Sequence, residues 1–261
     1  MPGNDNVDIE NGPYLTLMLV DAELELVPER FWSHPAVVQN ARKRGKRPSK
    51  VLLDSSLHHS LFKDIHEKKR RGRPDIVHQF LLLSLDSILN QQGRLGIFVH
   101  TRNDQLLTVD ATTRLPKNYN RYSGLFEELL QTGSIPSGRK PLIRTIDGMD
   151  LRSSIEFARS GIDPDGSRTR VVLLHPEGEV RESWDIFRRI IREEGKKHII
   201  CLVGGFSDGD FRSDVDENSD IKLVLPGGLL KVWTVISELL VGFRAASSEE
   251  PVFLEEHQVL R

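Results

Sequence analysis

The sequence predicts an α/β protein, a mostly parallel sheet with helices on both faces, read as a single domain over 1–261. Three observations carry this. From residue 170 onward, short apolar runs alternate with helix-period segments, the pattern of strands joined by crossover helices. Ahead of them, 76–89 is apolar at helical spacing. Finally, 261 residues with 38% hydrophobic and 28% charged side chains suffice for a substantial core, while no apolar run approaches the roughly 18 residues of a membrane span.

In chain order, 14–20 (YLTLMLV) is a strand, and 23–27 alternates polar with apolar as a second, half-buried one. Residues 50–53 lead into a helical stretch containing His58 and His59. Ile76, Val77, Phe80, Leu81, Leu85, Ile88 and Leu89 then mark a helix, with Asp75 placed to cap it and Gly93 beyond its end. Strands at 95–100 and 106–109 flank Arg102-Asn103-Asp104 as a hairpin. Residues 133–168, rich in Gly, Pro, Ser and Asp, form an irregular connection or insertion in which LIRTI (142–146) and SIEFA (154–158) are the ordered pieces. A strand at 170–175, a helix at 182–194, a strand at 198–204, an acidic loop, a strand at 221–225 and a helix over about 228–243 complete the chain. No fixed-period repeat is present, which excludes solenoids.

The formal net charge of −2 conceals segregation. The basic loop at 41–50 (ARKRGKRPSK) holds six cations and no acid, whereas 201–220 holds six acids and one arginine. A basic surface on a nearly neutral protein is a local anion-binding face. A second basic burst, Lys68, Lys69, Arg70, Arg71 and Arg73, abuts the helix start, whose N–H groups favour anions. The lone Cys201 excludes an internal disulfide framework and reads as buried filler, which fits a reducing, intracellular setting. The polar residues 1–13 lack the pattern of a secretory leader. The setting is therefore cytoplasmic, or nucleolar in a eukaryote.

No glycine-rich stretch ends in Gly-Lys-Ser/Thr and no strand leads into G-x-G-x-x-G. The acidic loop lacks the alternation of an EF-hand, so no metal site is assigned. Two glycine-bearing loops remain, VGGFSDGDF (203–211) and LPGGLL (225–230), each directly after a strand. In an open parallel sheet this is where ligands sit, because a loop backbone approaches them closely. In TRLPKNYNRYSGL (113–125), Arg114, Lys117 and Arg121 recur with Tyr119 and Tyr122 between them, cations for phosphates and aromatic faces for unstacked bases. Pro116 opposes a regular helix through the cluster.

RPDIVHQFLLLSLDSILN (73–90) resembles a characteristic segment of the ribosome-biogenesis pseudouridine-N1 rRNA methyltransferases, whose class is the SPOUT fold. RLPKNYNRYSGLFEELL (114–130), VGGFSDG (203–209) and the 222–227 loop resemble further stretches of the same family. The resemblance implies a carboxy-terminal trefoil knot, S-adenosylmethionine as cofactor, small-subunit rRNA as substrate, a homodimer and ribosomal proteins as further partners. It places Arg73, Arg114, Lys117 and Arg121 on the RNA surface, with Arg73 and its orienting Asp75 as catalytic residues. Around the cofactor it places Leu173, Gly204, Gly209, Lys222, Leu223, Val224, Leu225, Pro226 and Gly227. Lys117 stands where the family has arginine, losing the planar fork. Two other readings stay open: a non-enzymatic rRNA-binding assembly factor, and a knotted RNA methyltransferase acting on a ribose 2′-hydroxyl.

Overall fold

Tyr14–Ala22 is a run of nine consecutive buried residues, and a strand with no polar face belongs in the middle of a sheet covered on both sides. In the computed structural model, which describes residues 12–138 and 140–248, this strand (β1) is central. β2 (Leu95–Thr101) runs parallel on one side and β7 (His198–Gly204) on the other. Beyond β2 lie β3 (Gln105–Val109), β5 (Ile143–Asp147) and the two-residue β4 (Ser134–Ile135), all antiparallel. Beyond β7 lie β6 (Thr169–Val180) and β8 (Ile221–Val224), both parallel. The full order is β4-β5-β3-β2-β1-β7-β6-β8.

Helices cover both faces unequally. α2 (Pro74–Leu85), α4 (Tyr119–Thr132), α6 (Ser183–Arg188) and α7 (Val232–Ser247) pack on the face carrying Leu15, Leu17 and Leu19. On the opposite face, α5 (Leu151–Ser160) covers Met18, Val20 and Leu202. Each such leucine or phenylalanine contributes about 1.5–3 kcal/mol on burial. α1 (Pro35–Lys43) sits outside the sheet in a satellite core with Leu53, Leu61 and Phe62. Among the described residues no helix is long and apolar enough to cross a membrane.

The hairpin, β7, β8 and the helix at 76–85 follow the sequence reading, whereas other elements differ. Residues 23–27 do not join the sheet; Leu26 alone bridges, to Leu52. The polar positions of that alternation, Glu23 and Glu25, turn inward to buried arginines instead of outward to water. Asp75 is not the helix cap: Arg73 holds that position, and Asp75 lies in the first turn. The helix also breaks at Asp86 and restarts as α3 (Ile88–Gln91), because the Ser87 hydroxyl accepts the Asn90 N–H as a fresh cap. The stretch at 58–59 forms a short 3₁₀ turn, His59–Lys63. Within 133–168, LIRTI becomes the sheet strand β5 and SIEFA part of α5, so the segment is only partly irregular. The basic stretch at 41–50 is less a loop than the end of α1 followed by a turn and the 3₁₀ segment Pro48–Lys50. The helix at 182–194 is α6 followed by a π-helical turn, Arg189–Glu193, and the last helix begins at Val232 rather than 228. The leader reading on 1–13 falls, up to residue 11, outside the described residues.

Candidate active site

A cleft of about 640 Å³ opens at the carboxyl end of β7, beside the irregular middle of β6 just past its pairing with β7. Gly204 and the 206–211 loop form one wall, Leu174–Glu177 another, and Leu229–Val235 a third. The amino-terminal end of α2 closes the fourth side with Arg73 and Ile76. A smaller lobe of about 90 Å³ continues it, adding Leu223, Val224 and Leu225. The walls mix apolar side chains with Arg73, Glu177, Asp208, Asp210 and Lys231, and the volume falls within the roughly 300–1,000 Å³ of small-ligand sites.

The 204–211 loop is held rigidly from below. A Cβ on Gly205 would lie 2.6 Å from the Ala22 backbone, so only glycine lets the loop cross β1 there. Gly209 adopts φ +86°, which glycine tolerates best. Asp21, at the end of β1, accepts the Arg212 and Ser213 N–H groups at 2.6 and 3.2 Å and the Ser213 hydroxyl at 2.7 Å. Arg70 lies beneath: it donates Nε–H to Glu23 Oε1 at 2.5 Å and another N–H to the Asp210 carbonyl, and its guanidinium covers the Phe206 ring at 4.0 Å. Ser207 donates its hydroxyl to the Lys69 carbonyl. At the cleft wall, His175 Nε2 meets Asp210 Oδ1 at 3.1 Å. The Phe211 backbone N–H, and then His175, lower the Asp210 carboxyl below its usual range.

The basic burst at 68–73 thus divides. Arg70 and Arg71 are buried and bind Glu23 and Glu25, with Arg71 making two hydrogen bonds at 2.7 and 2.6 Å. Arg73 alone reaches the cleft rim. It donates Nε–H and Nη2–H to the two Asp75 oxygens, both at 2.8 Å, and this pairing holds its guanidinium more firmly protonated than usual. Asp75 flanks the cleft without lining it. Beside them, Tyr119 donates its hydroxyl to Asp54 at 2.5 Å, His78 Nε2 lies 2.9 Å from the Pro116 carbonyl, and Tyr122 donates to the Pro74 carbonyl. The His78 and Tyr122 bonds tie Pro116 and α4 to the first turns of α2, and Arg114, Lys117 and Arg121 are exposed on the tied segment. Pro116 indeed lies outside the helix, which starts at Tyr119 with Asn118 as its cap. The aromatic reading fails at Tyr122, which is fully buried and stacked on His78, leaving it no face for a base.

Arg73, Gly204 and Gly209 therefore meet on one cleft, and Leu223, Val224 and Leu225 on its lobe. Leu173 does not: strand alternation turns it into the opposite-face core, and Leu174 and His175 face the cleft instead. Lys222 pairs with Asp216 at 2.8 Å, and Pro226 and Gly227 are exposed without lining either cavity. Sequence reasoning missed Asp21, Arg70, His175, Asp210 and Leu230. The acids that follow an apolar strand at 21, 23 and 25 were the available signal. Cys201 is buried filler as expected, and burial pushes its thiol up. Among the described residues, no group of three or more His, Cys, Asp or Glu is placed to hold a metal ion.

A mostly parallel sheet with a cleft between two glycine loops at its strand ends, and a paired arginine on the rim, fits a methyltransferase of the SPOUT class. Residues 17–244 match the EMG1/NEP1 methyltransferase family, and the chain belongs to that family. Relatives named ribosomal RNA small subunit methyltransferase Nep1 are 44% identical in Thermococcus kodakarensis and 43% in Methanothrix thermoacetophila. Each alignment spans 232 residues, covering 89% and 88% of this chain and 98% and 95% of the relatives. The crystal structure of Archaeoglobus fulgidus Nep1 bound to S-adenosylhomocysteine superposes with a TM-score of 0.73 at 34% identity, over 90% of this chain and 98% of that one.

Proposed function

We propose that the protein transfers the methyl group of S-adenosylmethionine to N1 of a pseudouridine in small-subunit rRNA, during ribosome biogenesis in the cytoplasm. The observation that carries this reading is Arg73, paired with Asp75 at the rim of the cleft, on a helix to which His78 and Tyr122 tie the segment bearing exposed Arg114, Lys117 and Arg121. The cleft residues fit the cofactor. Gly204 and the 206–211 backbone offer hydrogen-bonding groups at close range, and Leu225, Leu229 and Leu230 offer apolar faces. The resemblance assigns Leu173 and the 222–227 loop to the same cofactor, and of these Leu223 to Leu225 line the adjoining lobe, which supports their part in the reading.

When bound, S-adenosylmethionine supplies an electrophilic methyl group on a sulfonium, so holding the acceptor in line is most of the chemistry. The C–S bond breaks, an N1–C bond forms, and the N1 proton leaves. Arg73 favours the anionic base by its charge. Asp75 keeps Arg73 aimed and is the carboxylate at hand for the proton. Arg114, Lys117 and Arg121 hold phosphates while the base leaves its stack, at a cost of a few kcal/mol. The protein acts as a homodimer. Ile236, Leu239 and Phe243 of α7 are used internally, while Val241, beside Ile88, and Trp233 are exposed among the described residues and offer apolar surface for the partner copy. Ribosomal proteins and the trefoil knot belong to the same reading.

Calorimetric titration with S-adenosylhomocysteine, followed by labelled methyl transfer to matched RNAs carrying uridine or pseudouridine, tests it. Cofactor binding and transfer to the pseudouridine RNA alone are expected. Transfer to both RNAs at the ribose 2′-hydroxyl, identified by nucleoside mass spectrometry, would sink the N1 assignment. Cofactor binding with no transfer would leave an assembly factor.

A further inference from the structure

A second groove, of about 610 Å³, lies between residues 45–50 and α4, away from the cofactor cleft. Lys46, Arg47 and Lys50 form one wall; Gly124, Glu128 and Gln131 of α4 form the other. The first wall is fastened by the buried Glu127. That carboxylate accepts hydrogen bonds from Arg44 Nη2 at 2.7 Å, Lys46 Nζ at 2.5 Å and the Leu52 N–H at 3.1 Å. Arg44 and Lys46 share the single charge of Glu127, so both side chains are held in place by the fold. Arg42, Lys43, Arg47 and Lys50 are exposed around them. The six cations of 41–50 thus separate into two that hold the segment in place and four that face water.

The groove runs on from the surface already described. At 100° per residue, Arg121, Gly124, Glu128 and Gln131 fall on one face of α4. Arg121 is near the amino-terminal end of that face, and the groove occupies the rest of it. With about 1.5 Å rise per residue, Arg121 and Gln131 are roughly 15 Å apart along the helix. Gly124 leaves the helix backbone bare there, with only Lys46 Nζ near the place of a Cβ. Glu128 is the one acid on the walls, against Arg47 and Lys50, with Lys46 already paired to Glu127.

We propose that this groove binds the sugar–phosphate backbone of the rRNA flanking the target nucleotide. The RNA path would continue from Arg73 and Lys117, past Arg121, along α4 to Arg47 and Lys50. This rests on the rRNA reading above and extends it: the cofactor cleft would select the nucleotide, while the groove would contribute affinity independent of sequence. The chemistry favours a polyanion with regularly spaced charges, because the cations recur along a shallow trough without an apolar anchor.

The test compares two RNAs, a short pseudouridine-containing stem–loop and the same stem–loop with single-stranded extensions on both sides. The wild-type protein is expected to bind the extended RNA more tightly. The double variant R47E/K50E should lose most of that gain, roughly ten-fold in Kd, with a salt dependence shallower by about one to two unit slopes. R152E, on α5 across the sheet, should keep the gain. Should R47E/K50E melt below the wild type, the milder R47A/K50A serves in its place, since neither residue bonds Glu127. An equal gain in wild type and variant, no gain in the wild type, or an equal loss in R152E would each overturn the proposal. A wild type that binds neither RNA would overturn the rRNA reading beneath it.

Discussion

Arg70 and Arg73 stand three residues apart in one basic run and serve opposite ends. Arg70 is buried, shared among Glu23, the Asp210 carbonyl and the Phe206 ring, and holds up the loop that walls the cleft. Arg73 is tied to a partly exposed carboxylate two residues away and meets the solvent at the cleft rim. The same division recurs at 41–50, where Arg44 and Lys46 serve Glu127 while their neighbours face outward. A cation works outward only where no buried carboxylate claims it.

The sharpest way to break this comparison is on the buried side. Glu23→Ala would leave Arg70 and Arg102, both with side chains 7% exposed, without their main partner. Removing one member of a buried ionic network costs about 3–5 kcal/mol. Urea denaturation should show that loss, and an unchanged midpoint would mean that Arg70 is not structural. Next comes Arg73→Ala, for which kcat/KM should fall about a hundred-fold, near 2.7 kcal/mol, with the urea midpoint nearly unmoved. Normal methylation by that variant would remove Arg73 from the site.

Buried histidines sharpen the contrast by titration. His198 is pushed down to about 3 by burial between Thr16 and Thr169, and burial likewise lowers His58 and His100. The unfolded chain takes up a proton below about 6.5 that the folded histidine refuses. Stability is therefore whole above pH 6.5 and is lost as the pH falls towards the folded value. At pH 5, His198 alone should cost on the order of 2 kcal/mol. The drop should be visible in urea titrations at pH 7 and 5, and His198→Asn should flatten it. A wild-type midpoint independent of pH would contradict the buried, neutral assignment. The smallest effect is at the exposed face: Arg121→Ala should weaken rRNA binding several-fold, with a salt slope shallower by about one, and leave melting unchanged. A steep loss for one RNA sequence only would instead make Arg121 a reader of bases.

Much of the fold was legible because hydrophobic period is local. β7 and the hairpin at 95–109 matched closely, and α2 matched as far as Leu85, where a serine hydroxyl restarts the helix. The failures share a cause. Residues 23–27 alternate as a strand does, yet their acids face arginines far along the chain. Tyr122 looked like a stacking platform because sequence spacing does not say which way a helix face turns. Of the residues that the resemblance assigns to a cofactor, Gly204 and Gly209 line the cleft, whereas Leu173 lies one residue off it and so turns to the other side of the sheet.

What the sequence by itself determined is β1, the hairpin, the later parallel strands, α2 and the positions of the two glycine loops, since apolar period and glycine freedom act over a few residues. Which cations became struts and which stayed free was decided only in the tertiary structure. Asp21 accepts from Arg212, 191 residues away, and Arg70 donates to Glu23, 47 residues away. A charge in a sequence has no partner until the folded core brings one into a place that water has left.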